Sequence, residues 1–94
     1  MPELHLPAAL APYAGGSRRL AVTLAPGRDT VAGLLDAVAA DHPGVGHRVR
    51  DERGELRRHV NVFVNGESIK YLDGLATPVG PADEVWIIPS VSGG

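Results

Sequence analysis

The residues of this chain best suited to chemistry are its last two, Gly93 and Gly94. Glycine has no Cβ, so a Gly-Gly end threads a channel only as wide as a backbone and adopts dihedrals that strain other residues. The terminal carboxylate on such a thread can enter another protein's active site and leave again. Ser90, Val91 and Ser92, just before it, carry one apolar side chain among them. Nothing there can hold the segment to a core, so residues 90–94 are expected to project as a flexible tail.

Other candidates are weaker. The chain has no cysteine, which excludes disulfides, a thiolate nucleophile and zinc–cysteine sites. His5, His42, His47 and His59 show no metal-ligand spacing. His42 and His47 are five residues apart, off the helical i, i+4 geometry of zinc pairs. All four read as surface histidines, and no metal site is expected. Ser17, Ser68, Ser90 and Ser92 sit in no nucleophile motif, and Gly15-Gly16 lacks the continuation of a phosphate loop. No catalytic residue is expected, and the chain does not read as an enzyme.

Arg48, Arg50, Arg53, Arg57 and Arg58 are interleaved with Asp51, Glu52 and Glu55, the pattern of a solvated loop rather than a phosphate site. A net charge of −2 and four aromatic residues give neither the charge nor the stacking surface for nucleic acid. No apolar run reaches the roughly 20 residues of a membrane span, and the N-terminus lacks a signal pattern. The 94 residues make one domain with a modest core, expected to be cytoplasmic and monomeric on its own.

The elements that must position the carboxylate follow from periodicity. Val85 to Ile88 is a buried strand in composition, and Pro89, without an amide hydrogen, should end its pairing. Leu4 and Leu6 alternate as a first strand. Pro7 to Ser17 reads as a long loop, and Arg18 to Leu24 as a second strand with Leu20, Val22 and Leu24 on one face. Thr30 or Asp29 can cap a helix on which Val31, Leu34, Leu35 and Val38 share a stripe, until His42-Pro43-Gly44 stops it. Gly33 is costly there unless close packing requires it. Val45 to Val49 reads as a short turn.

His59 to Asn65 is the clearest strand, with Val60, Val62 and Val64 on one face. Asn65-Gly66 asks for a type I′ hairpin turn, and Glu67 to Tyr71 for a short return strand. Leu75 reads as a core plug. The fold class is α+β: a mixed four- to five-stranded sheet with one main helix across one face. Residues 1–89 are the domain and 90–94 the tail. One helix covers one face of a sheet, so Phe63, Trp86 and Ile88 point away from it. If their strands are neighbours, they form an apolar docking patch near the root of the tail.

Leu75-Ala76-Thr77-Pro78-Val79, the acid pair Asp83-Glu84, and Val85-Trp86-Ile87-Ile88-Pro89-Ser90-Val91-Ser92-Gly93-Gly94 resemble the MoaD/ThiS family of sulfur carriers, which have the β-grasp, or ubiquitin-like, fold. Phe63-Val64-Asn65-Gly66 and the second half are most similar to the cysteine-biosynthesis branch of that family. The resemblance implies that an E1-like enzyme of ThiF/MoeB type docks on Phe63, Trp86 and Ile88 and draws in the tail, Ser90, Val91, Ser92, Gly93 and Gly94. Gly94 would be adenylated with the partner's ATP and magnesium, then converted to a thiocarboxylate. The sulfur would pass to a biosynthetic enzyme such as a cysteine synthase or a thiosugar or thiazole synthase. With no residue after Gly94, no trimming is expected. Two other readings stay open: a modifier joined through Gly94 to lysines, and a non-covalent ubiquitin-like binding module.

Overall fold

The computed structural model describes residues 1–89. Five strands, β1 (Glu3–His5), β2 (Arg19–Ala21), β3 (Val60–Val64), β4 (Glu67–Ser68) and β5 (Glu84–Pro89), make one sheet in the order β2-β1-β5-β3-β4. β1 and β5 are parallel, and the other pairs are antiparallel. The strand nearest the C-terminus is thus the central one. A parallel neighbour from the start of the chain requires a long crossover, and two helices provide it: α1 (Val31–Asp41) and α2 (Pro43–Val49).

Burial follows the alternation. β3 reads buried at Val60, Val62 and Val64, and β5 at Val85 and Ile87. Leu4, Val22, Val31, Leu34, Leu35 and Val38 join them in the core, while Leu20, Leu24 and Leu75 pack against it half-buried. Thr30 is the cap of α1: its Oγ1 accepts the Gly33 N–H at 3.1 Å. The Val31 N–H donates to the Thr77 carbonyl at 3.0 Å, so the segment before β5 satisfies another orphan donor of the first turn. Thr77 is itself buried, its hydroxyl donating to the Gly74 carbonyl at 2.6 Å.

Gly33 is required by close approach. A Cβ there would collide with the Arg28 carbonyl group, its carbon only 2.8 Å away. The Asn65-Gly66 turn has φ of 49° and 88°, the positive pair that a type I′ turn needs.

Four expectations change. The Pro7 to Ser17 loop contains a 3₁₀ helix, Ala8–Ala14, which buries Leu10 and Ala14. The second strand keeps only three residues of regular pairing. The turn at Val45 to Val49 is the helix α2, which starts on Pro43 and buries Val45 and Val49 in the core. The return strand after Gly66 lasts two residues, then tightens into a 3₁₀ turn that buries Ile69.

Candidate functional site

β5 divides its side chains between two faces. Val85 and Ile87 enter the core; Glu84, Trp86 and Ile88 face outward. Trp86 is 43% and Ile88 41% exposed. β3 lies beside β5, and Phe63 stands opposite Trp86 in register, as Asn61 does opposite Ile88. The three expected patch residues therefore share one face, with Phe63 half-buried.

The same register extends across the sheet. His5 is opposite Trp86 on the other side, and Arg19 and Ser68 lie beyond. His5 does not behave as a surface histidine: it is only 7% exposed. Trp86 stacks on its ring, with centroids 3.9 Å apart and planes 3° apart. Alternation and spacing along the chain do not reveal this contact, because it depends on the register between β1 and β5. The same pairing brings His5 together with Glu3 and Glu84, the latter at 3.0 Å.

A polar lock fixes the entry to β5. The Asn65 side chain donates to Asp83 Oδ1 at 2.8 Å and accepts the Glu84 N–H at 2.9 Å. Gly80 N–H donates to Asp83 Oδ2 at 2.7 Å. The Gly80 amide, and then the Asn65 side chain, hold the Asp83 carboxyl below its ordinary value, since both bonds favour the charged form. The hairpin turn and the final strand are thereby tied together.

β5 ends at Pro89, whose neighbour on β3 is Val60. A groove of about 250 Å³ opens beside it, lined in part by Leu10, Tyr13, Arg48, Ile87 and Pro89. Arg48 lies over the Tyr13 ring at 3.6 Å. The expected tail, Ser90, Val91, Ser92, Gly93 and Gly94, lies outside the described residues.

The arginine-rich loop is engaged largely within the fold. Arg50 donates to Asp36 at 2.6 Å, and Arg57 to the His47 carbonyl at 2.7 Å. Asp51 accepts the N–H groups of Glu55 and Arg53, and the Glu55 amide, first, holds its carboxyl low.

A mixed sheet in this order, with a helix laid over one face and an apolar strip on the other, is the β-grasp, or ubiquitin-like, architecture. Solved structures match it over almost the whole chain. Mycobacterium tuberculosis CysO superposes with a TM-score of 0.86 at 30% identity, covering 97% of this chain and 100% of the other. A chain of the Amycolatopsis orientalis BexX/CysO complex gives 0.86 at 31% identity, with both chains fully covered. Haloferax volcanii SAMP1 gives 0.80 at 40% identity, covering 99% and 98%.

Within that architecture, the model of the ThiS family matches residues 4–94, and this chain belongs to the family. The sulfur carrier protein CysO of Mycobacterium tuberculosis is 33% identical over 93 residues, 97% of this chain and 96% of its own length. Small archaeal modifier protein 1 of Haloferax volcanii is 44% identical over 79 residues, 84% and 85% of the two chains.

Proposed function

We propose that this chain is a sulfur carrier whose reactive group is the Gly94 carboxylate. The observation that carries the reading is the placement of β5. It holds the centre of the sheet, turns Trp86 and Ile88 outward beside Phe63, and leads directly to Ser90 and the Gly-Gly end. One rigid strand thus joins a docking face to a terminal carboxylate. Similarity to proteins named as sulfur carriers supports the same reading.

The chemistry belongs to partners. An E1-like enzyme of ThiF/MoeB type docks on Phe63, Trp86 and Ile88. A Gly94 carboxylate oxygen attacks the α-phosphorus of ATP and pyrophosphate departs, leaving an acyl-adenylate. The enzyme and its magnesium supply positioning and charge neutralisation. Hydrosulfide then adds to the acyl carbon as the bond to AMP breaks, giving a thiocarboxylate. Its soft sulfur is the nucleophile handed to a biosynthetic enzyme, with a cysteine synthase favoured by the likeness to CysO. The chain is a co-substrate in this cycle, and the cysteine-free sequence suits sulfur carried on the main-chain end.

The test is to incubate the protein with ATP, a sulfide source and each E1-like enzyme of its host, then record intact mass. A gain equal to the difference between sulfur and oxygen, mapped to Gly94, is expected. Failure to form either the adenylate or the thiocarboxylate with every such enzyme would overturn the proposal. The likeness to an archaeal modifier protein favours a second reading, isopeptide conjugation through Gly94. Ladders of higher-mass adducts in lysate, lost in Gly94→Val, would identify it.

A further inference from the structure

Glu3 and Glu84 face each other in the parallel register of β1 and β5, and His5 follows two residues after Glu3 on the same outer face. His5 Nε2 lies 3.0 Å from Glu84 Oε1 and 4.0 Å from Glu3 Oε1. One ligand atom from each of the three falls within 4.8 Å of the others. Nitrogen and oxygen ligands held at about 2.0–2.1 Å around one tetrahedral zinc ion stand roughly 3.3 Å apart. Small side-chain adjustments take these three atoms to that spacing.

A second observation points to a ligand. The His5 side chain is 8% exposed, and its Nε2 is buried with no hydrogen-bond partner among the described residues. Glu84 Oε1 is near enough to bond but does not. An oxygen that close and unbonded lies off the axis of the nitrogen, which is where a second ligand of a shared cation belongs. A buried nitrogen without a partner is costly, and a coordinated cation supplies one.

We infer that Glu3, His5 and Glu84 bind one divalent cation of the zinc class on the outer face of the sheet. This is a site where no metal was expected from spacing along the chain, and it does not depend on the sulfur-carrier role. An imidazole with two carboxylates suits zinc, cobalt or manganese, whereas calcium and magnesium take oxygen alone. The stack of Trp86 on His5 holds the imidazole ring in place before the ion arrives, so little ordering remains. Glu3 and Glu84 are 41% and 53% exposed, so water completes the coordination. Arg19, whose Nε is 3.9 Å from Glu3 Oε1, is a competitor for one carboxylate; it is 66% exposed on an edge strand and free to turn away.

The experiment titrates zinc chloride into the full chain by calorimetry, and cobalt chloride into the ¹⁵N-labelled chain by NMR. One-to-one binding is expected, weakened at least about tenfold in Glu3→Gln/Glu84→Gln. Cobalt should broaden the amides of β1 and the start of β5 before any others. Both glutamates are on the surface, so the variant keeps the fold, and the cobalt map needs only the unaltered chain. No saturable binding, equal affinity in the double variant, or broadening centred on His42, His47, His59 or residues 90–94 would overturn the inference.

Discussion

Trp86 lies flat on His5, its ring 3.9 Å from the imidazole and nearly parallel to it. One strand of the parallel pair supplies the tryptophan and the other the histidine. An apolar surface residue thereby covers a buried polar ring, and the proposed function adds a second role, docking a partner on its exposed side.

Replacing Trp86 separates these roles. Trp86→Ala should lower unfolding free energy by about 1–2 kcal/mol, the scale of an aromatic stack with modest area. Binding to the activating enzyme should fall much further, because large aromatics anchor interfaces. Urea unfolding and a direct binding titration measure the two losses. A stability loss of about 4 kcal/mol or more would mark Trp86 as a core residue instead.

Gly33→Ala tests the fit of α1. In an exposed helix this change stabilises by about 1 kcal/mol. Here the new methyl would strike the Arg28 carbonyl group, backbone that cannot swing aside. A net loss of about 1–3 kcal/mol is expected from the forced shift, read as a lower urea midpoint with an unchanged slope.

Gly94→Val should abolish adenylation and leave the melting temperature unchanged. Among the described residues the buried core runs from Leu4 to Ile87, and the substitution is expected to leave it intact. Pyrophosphate release with the activating enzyme and a thermal melt give the two readouts. A lowered melting temperature would contradict the separation of tail from domain.

Asp83 predicts a pH dependence. Its folded value is held below the usual carboxylate range by the Gly80 amide and then the Asn65 side chain. A group depressed on folding stabilises above its unfolded value, and that contribution fades as pH falls through the folded one. Asp83→Asn should therefore cost stability near neutral pH, and the gap from the unaltered protein should narrow as acid is added. Urea midpoints from about pH 7 down to about pH 3 trace the difference. A gap that stays constant would remove Asp83 from this role.

The parts of the fold legible in sequence are those governed by local rules. Val60, Val62 and Val64 alternate, Asn65-Gly66 names its turn, and Thr30 with Val31, Leu34 and Val38 names the helix. The outward set Phe63, Trp86 and Ile88 followed from the same alternation once β3 and β5 were neighbours. What escaped depends on distant partners. Leu10 and Ala14 sit in a proline-containing segment whose burial comes from packing against α2. Val45 and Val49 belong to a helix too short for its periodicity to be recognised. His5 looks like any outward residue of β1 until β5 lies alongside and Trp86 folds over it.

The central position of β5 also governs how the molecule bears force. The strand that precedes the Gly-Gly end is held on one side by β1 and on the other by β3. A pull on that end cannot peel a sheet edge one hydrogen bond at a time. Because β1 and β5 run parallel, tension between the two chain ends drags the strands past each other and loads their bonds together. In the proposed carrier cycle, a pull on the Gly-Gly end would thus be met by strands on both sides of β5 rather than by a sheet edge.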